Sequence, residues 1–309
     1  MRKYVITGAT GLIGRALIKE ITAAGDTAVA LVNPESRRAD GLWGCVDPAG
    51  KLEIYPCSAD AYADFEVGEL RADAFIHLAW AKTSHLDRDD VYSQLKNVEY
   101  TLDAVRLAAK MGCRSFVGAG SQAEFGRVSE AISGNTPANP ESAYGIAKYT
   151  AGKLSATLAK KSGMRHNWVR ILSIFGEDDA PTTLISYLVK CFSEGITPEL
   201  TKCEQIWDYM YVSDAARAII AVGDRGIDGR VYCIGSGKGR KLSEYVEDIR
   251  DAFAPDAKIN FGSKEYYPHQ PMYLVADISE LEADTGFRVK YSFEEGVSLM
   301  AAALKNKKG

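Results

Sequence analysis

Long apolar runs are missing from this 309-residue sequence. No stretch approaches the roughly 20 residues of a membrane-spanning helix, so no membrane segment is expected. The first apolar stretch, Tyr4 to Ile6, is too short for a secretory leader and runs straight into glycines. Histidine is scarce: four residues, at 77, 85, 166 and 269, stand far apart. A histidine-rich zinc site is therefore not expected, and no metal ligands are assigned. The six cysteines, at 45, 57, 113, 191, 203 and 233, form no CxxC pair. That spacing predicts reduced, buried thiols and a cytoplasmic chain. Neither sign of charge dominates, with 37 Lys and Arg against 41 Asp and Glu, a net charge of −4. A broad polyanion-binding surface is not implied, so nucleic acid is not an expected partner. Repeats and low-complexity segments are also lacking.

What remains is ordinary globular composition, 46% hydrophobic and 25% charged. The length suits two domains, or one large α/β domain with an addition. Short β-branched runs alternate with amphipathic segments over the first half. Strands are predicted at 3–7, 27–32, 51–57, 74–79, 114–120 and 166–175. Helices are predicted at 12–25, 88–111 and 142–163. This alternation predicts an α/β fold, a Rossmann-type doubly wound parallel sheet with helices on both faces. Beyond Gly176 the rhythm loosens. A helix near 181–194, a loop holding Trp207, Asp208 and Tyr209, a helix near 213–224 and a strand at 231–235 are expected. Residues 1–176 are read as the dinucleotide-binding domain, with 205–235 returning to it. Residues 177–204 and 236–309 form a smaller C-terminal substrate-binding region. The basic tail from Lys305 is expected to be solvated and frayed.

The turn from first strand to first helix reads Thr7-Gly8-Ala9-Thr10-Gly11-Leu12-Ile13-Gly14. Gly8 permits a tight turn, Gly11 lets backbone approach a pyrophosphate, and Gly14 lets helix and strand pack closely. The free N–H groups of the helix start favour phosphate. Dinucleotide binding by Gly8, Thr10, Gly11, Leu12, Ile13 and Gly14 is the expectation. The second strand ends at Asn33, where an acidic residue would hold the ribose 2′-hydroxyl. Arg37 and Arg38 follow and could pair with a 2′-phosphate. NADP is favoured over NAD. Asp60 is assigned to the adenine edge. Leu78, Ala79 and Trp80, after His77, are assigned to the diphosphate and nicotinamide side.

Three YxxxK pairs occur: Tyr92/Lys96, Tyr144/Lys148 and Tyr149/Lys153. On a helix, such a pair shares one face, so the ammonium lowers the phenol pKa. A tyrosine so placed can exchange a proton with a sugar or alcohol oxygen. Context selects Tyr144. It stands at a helix start, and Ser121 ends the fifth strand, where open α/β sheets collect ligands. Tyr92 comes too early in the chain, and Tyr149 lies on another helical face. Ser121, Tyr144 and Lys148 are the expected catalytic set. No GxSxG elbow supports a hydrolase.

Together these segments resemble the extended short-chain dehydrogenase/reductase family, which includes nucleotide-sugar epimerases, dehydratases and reductases. The resemblance spans nearly the whole chain. It rests on TGATGLIG (7–14), HLAW (77–80), Asn97, SQAEFG (121–126), YGIAK (144–148), RILSIFG (170–176), WDYMYVSDAA (207–216) and ADISELEADTGF (276–287). It implies that Tyr144 is the acid/base, that Lys148 binds the nicotinamide ribose, and that Ser121 orients the sugar oxygen. It adds Asn97 to the cofactor residues. It implies a nucleotide-diphospho-sugar substrate, with Gln122, Ser173, Trp207 and Tyr209 on the substrate side. The family often dimerises through two helices, here 88–111 and the Tyr144 helix, so a homodimer is expected.

Departures from the family pattern carry information. Ser173 stands where relatives of galactose epimerase often have Asn, and Trp207 where many have Arg. Lys238, Arg240 or Lys241 could replace the missing phosphate clamp. Gln122-Ala123 follow Ser121 where dehydratases typically carry Asp-Glu, which disfavours dehydration; Glu124 is read as structural. The expected activity is an NADPH-dependent 4-ketoreductase, with an NAD-dependent 4-epimerase as the alternative. A non-catalytic NADP-sensing or scaffold protein is the reading from another class.

Overall fold

Lys3–Thr7 (β1) turns successive side chains to opposite sides. Tyr4 and Ile6 enter one apolar cluster, and Val5 enters another. Burial on two sides requires a layer of helices on each face of the sheet. The computed structural model of the protein describes residues 1–84, 87–268 and 270–308, with side chains of the helical residues through 304. His85 and His269 lie outside the described residues.

After β1 the chain forms Leu12–Ala23 (α1), Thr27–Val32 (β2), Lys51–Pro56 (β3), Ala74–His77 (β4) and Val91–Lys110 (α2). Ser115–Ser121 (β5), Ala143–Lys161 (α3) and Arg165–Ile171 (β6) follow. Next come Ser173–Phe175 (β7), Leu184–Ser193 (α4), Ile206–Trp207 (β8), Tyr209–Tyr211 (β9), Val212–Arg225 (α5) and Val231–Ile234 (β10). The chain finishes with Arg240–Lys241 (β11), Leu242–Phe253 (α6), Tyr273–Leu274 (β12), Ser279–Thr285 (α7) and Phe293–Lys308 (α8).

Seven strands form one sheet in the order β10-β6-β5-β4-β1-β2-β3. Every pairing in it is parallel. Helices α1 and α5 pack together on one face, and α2 and α3 on the other. This is the Rossmann-type doubly wound sheet. The strand order reverses between β1 and β4, which opens a crevice at their C-terminal ends. The six cysteines are unpaired, and all but Cys45 are buried. No described helix is long and apolar enough to cross a membrane.

Three expectations are corrected. The run 166–175 is two strands rather than one. β6 stays in the large sheet, and the Leu172 N–H still donates to the Ile234 carbonyl at 3.0 Å. β7 then leaves to pair with β9. The apolar run alone cannot show that its two halves have different partners. The segment around Trp207 is likewise two short strands, not a loop. Between them sits buried Asp208, which accepts hydrogen bonds from the N–H groups of Ser236, Gly237 and Ala276. One carboxylate thus ties three distant segments together. In the tail, the backbone of α8 is helical to Lys308, where no helix was expected. Phe175, Tyr211, Tyr245, Phe293 and their neighbours form a separate apolar cluster beneath this lobe.

Candidate active site

The crevice at the sheet reversal is a cleft of about 760 Å³. Its first wall is mostly backbone. Gly8 has φ +70, and a Cβ there would lie 2.8 Å from the Ala79 nitrogen. The turn is therefore pressed against the end of β4. A Cβ on Gly14 would lie 2.4 Å from the Gly8 carbonyl oxygen. Gly14 thus closes the helix against its own turn, a tighter contact than helix-to-strand packing alone. Helix α1 has no side-chain cap at Gly11. Its first turn, Leu12, Ile13 and Gly14, lines the cleft together with Gly8, Thr10 and Gly11. Glycines that admit no side chain, beside an uncapped helix start, fit a dinucleotide diphosphate.

The second wall comes from β4, β5 and α3. Leu78, Ala79, Trp80, Ser121, Gln122, Tyr144 and Lys148 all line the cleft. Ser142 caps α3 by accepting the Gly145 N–H at 3.2 Å. A Cβ at Gly145 would lie 2.4 Å from the Ala123 carbonyl oxygen, so this glycine lets α3 approach the end of β5. That approach brings Tyr144 and Ser121 onto the same wall of the cleft. Burial raises the Tyr144 pKa, while the Ser121 hydrogen bond and the charge of Arg88 pull it back down. The Lys148 ammonium is buried and donates to the Ala119 carbonyl at 2.7 Å. It also sits 3.7 Å from the centroid of the Trp80 ring. Burial lowers its pKa to about 7, against the opposing pull of Glu124. Burial, and secondarily the Lys148 charge, lower His77 to about 3. His77 is therefore a neutral spacer between Thr7 and Thr101, with ring nitrogens 2.9 and 3.2 Å from their hydroxyls.

Glu124 stands close to this machinery, but both its oxygens are engaged. It accepts from the Ser121 N–H, from the Trp168 indole at 2.9 Å, and from the Arg170 guanidinium at 2.8 Å. The pair with Arg170 is almost fully buried. Glu124 builds the platform under Ser121.

The third wall comes from β7, the segment leading into α4, and the short strands β8 and β9. Ser173, Trp207 and Tyr209 line it, joined by Asp179, Thr183 and Leu184. The Trp207 indole N–H donates to the Ser173 hydroxyl at 2.8 Å. A second cavity of about 320 Å³ shares Leu184, Trp207 and Tyr209 with the cleft and continues to Gln205 and Lys264.

Several sequence candidates lie elsewhere. Asn97 is buried, and its amide both donates to and accepts from the Ala81 backbone, which fixes the loop after β4. The Asn33 side chain accepts the Glu35 N–H. Arg37 and Arg38 are exposed beyond β2, and neither makes an ion pair with a described residue. The Asp60 carboxylate accepts from the Ser58 hydroxyl. Of the possible replacement clamps, Arg240 is held by Glu244, Asp248 and Glu294. None of Lys238, Arg240 and Lys241 lines the cleft. Tyr92 is exposed, and the Lys153 ammonium lies over the Tyr149 ring, away from the cleft. Sequence reasoning missed Arg88, Asp179 and Lys264. Arg88 had a usable signal, being a cation on the loop after a strand whose C-terminal end borders the crevice.

The family model of the NAD dependent epimerase/dehydratase family matches residues 4–235. Among curated relatives, dTDP-6-deoxy-L-talose 4-dehydrogenase (NAD(+)) of Aggregatibacter actinomycetemcomitans is 26% identical, over 79% of this chain and 88% of its own length. The dTDP-4-dehydro-6-deoxyglucose reductase of Escherichia coli is 23% identical, over 98% of each chain. Among solved structures, UDP-N-acetylglucosamine 4-epimerase from Methanobrevibacter ruminantium superposes with a TM-score of 0.85 at 19% identity, over 99% of each chain. RMD from Pseudomonas aeruginosa, complexed with NADPH, gives 0.79 at 18% identity, over 99% of this chain and 100% of its own. The structural likenesses establish the fold, and the family model settles membership: the chain belongs to the NAD dependent epimerase/dehydratase family.

Proposed function

We propose that this protein is an NAD(P)-dependent oxidoreductase acting at C4 of a nucleotide-diphospho-hexose, and that it runs as a 4-ketoreductase using NADPH. The observation that carries the reading is that Ser121, Tyr144 and Lys148 line the same cleft as the glycine turn. A nicotinamide bound there supplies or accepts the hydride. Ser121 then orients the reacting sugar oxygen by hydrogen bonding. Tyr144 gives its proton to that oxygen as the carbonyl becomes an alcohol, and takes it back in the reverse direction. Lys148 stands buried beside them, its Nζ donating to the Ala119 carbonyl. Trp207, Ser173 and Tyr209 bound the hexose, and the adjoining cavity with Lys264 takes the nucleotide.

Two observations support reduction over dehydration and NADPH over NADH. Dehydration needs a further free acid or base near Ser121, and Glu124 is engaged with Trp168 and Arg170. The exposed Arg37 and Arg38, with uncharged Asn33, suit a 2′-phosphate. A homodimer is part of the same reading. Val91, Tyr92 and Leu95 on α2 and Ile146 and Leu154 on α3 are exposed apolar residues on packed neighbouring helices. A monomer in light scattering at micromolar concentration would overturn it.

The activity is tested in two stages. Any bound cofactor is released and identified by mass. CDP-, dTDP-, GDP- and UDP-sugars and their 4-keto forms are then supplied with NADPH. Stoichiometric NADPH loss establishes the reductase. Isomerisation without net cofactor change establishes a 4-epimerase instead. Cofactor binding that survives with no turnover of any sugar would support the sensing or scaffold reading.

A further inference from the structure

The loop between β4 and α2 is fastened to the start of the Tyr144 helix. The Tyr144 N–H donates to the Arg88 carbonyl at 2.9 Å. The Ala143 N–H donates to the Asp89 carboxylate at 3.0 Å. These two bonds satisfy free donors at the start of α3. They also bring the Arg88 side chain into the cleft, with its Cζ 5.0 Å from the centroid of the Tyr144 ring. Its Nε donates to the Thr83 carbonyl at 3.2 Å, and no described carboxylate pairs with it.

Lys148 is placed differently. Its ammonium is 5.8 Å from the Tyr144 ring centroid and 3.7 Å from that of Trp80. Its bond to the Ala119 carbonyl directs it toward β5. With its pKa near 7, it carries only part of its charge at neutral pH. A guanidinium stays charged at any pH the protein survives. The other groups around the phenol do not substitute for it. Ser121 is neutral, Glu124 opposes phenolate formation, Asp89 is bonded to Ala143, and Asp87 pairs with Lys82.

We propose that Arg88 is a positioning residue for Tyr144: its guanidinium, held over the phenol ring by the bonds at the start of α3, adds a permanent positive charge to the one that the YxxxK spacing supplies through Lys148. The proposal rests on Tyr144 being the acid/base of the reaction. Its test has one arm that needs no substrate. Protein carrying 13C at tyrosine Cζ is titrated by NMR, and the Tyr144 resonance is the one missing from Tyr144→Phe. In Arg88→Met the Tyr144 midpoint should rise by about one pH unit, the size expected for loss of a neighbouring unit charge. Arg88→Lys should restore most of that shift. In the second arm, sugar-alcohol oxidation by Arg88→Met should fall about tenfold at pH 7 and recover as pH rises, with KM unchanged. An unmoved midpoint overturns the proposal. So does a raised KM at constant kcat, which would make Arg88 a substrate contact. Absence of turnover by the unmutated protein on every nucleotide sugar would count against the proposed function alone, since the NMR midpoint would still decide the role of Arg88.

Discussion

The wall that we assign to the cofactor and the wall that we assign to the substrate are built on opposite plans. The cofactor wall comes from eight consecutive residues, Thr7 to Gly14, and its shape is a backbone shape. At Gly8 and Gly14 a side chain is excluded, since an added Cβ would lie 2.8 and 2.4 Å from neighbouring backbone. The substrate wall takes Ser173, Asp179, Thr183, Trp207 and Tyr209 from four separate segments. Its shape depends on side-chain hydrogen bonds such as Trp207 to Ser173 and on the carboxylate of Asp208. A wall made of backbone presents the same diphosphate donors whatever residues surround it. A wall made of side chains can change its ligand by a single substitution. Within one fold, the first wall suits a constant cofactor and the second a variable sugar.

Substitutions can sharpen or break this contrast. The largest effect is expected where the walls meet. Tyr144→Phe should lower turnover by about 10²–10⁴-fold while leaving binding of cofactor and sugar nucleotide intact. Retained turnover would place the proton transfer elsewhere. Next, Gly14→Val forces a side chain into the Gly8 carbonyl. It should weaken cofactor affinity by about 100-fold, through strain of about 1–3 kcal/mol and loss of the diphosphate geometry. Sugar-nucleotide affinity measured by calorimetry should change little; an equal loss of both would contradict the separate-wall plan.

Lys148→Met should separate stability from activity. The folded pKa of about 7 lies below the ordinary value of 10.5. Between those values the unfolded chain holds a proton that the folded chain has released, so stability rises with pH across that window. Below about pH 7 the cost of the buried ammonium is fully present. The variant should therefore be more stable than the parent at pH 6, by on the order of 2 kcal/mol, and lose the rise toward pH 10. Denaturant melts at both pH values measure it, and turnover should fall at the same time.

Smaller effects are expected at the edges. The double change Arg37→Ala with Arg38→Ala should raise KM for NADPH by about tenfold and leave that for NADH nearly unchanged. Equal effects on the two cofactors would remove the argument for NADP. On the substrate wall, Trp207→Phe deletes one hydrogen bond of about 1 kcal/mol and should weaken sugar-nucleotide affinity about fivefold, with cofactor affinity unchanged.

The same contrast explains which parts were legible from residue order. The strands β1, β2 and β4 and the glycine turn carry local signals, namely two-sided apolar runs and fixed glycine spacing. Tyr144 was separable from Tyr92 because its helix follows the strand that ends in Ser121, and from Tyr149 because that residue lies on another face of the same helix. The break between β6 and β7 was not legible, because Ile171 and Ile174 sit in one apolar run with two different sheets as partners. Asn97 was read as a cofactor residue from the family resemblance, and its bonds to the Ala81 backbone, 16 residues away, were not visible. Arg240 was a plausible phosphate clamp until its three carboxylate partners, 4, 8 and 54 residues away, came into view.

Residue order by itself determined the parallel sheet, the diphosphate turn and the pairing of Tyr144 with Lys148 on one helix. Each depends on backbone conformation or on neighbours within a few residues. Tertiary structure alone decided the electrostatics around the phenol. It turned Lys148 toward Trp80 and Ala119, brought Arg88 over the Tyr144 ring from 56 residues upstream, and engaged Glu124 with Arg170. Charge acts through distance and burial, and neither is encoded in spacing along the chain.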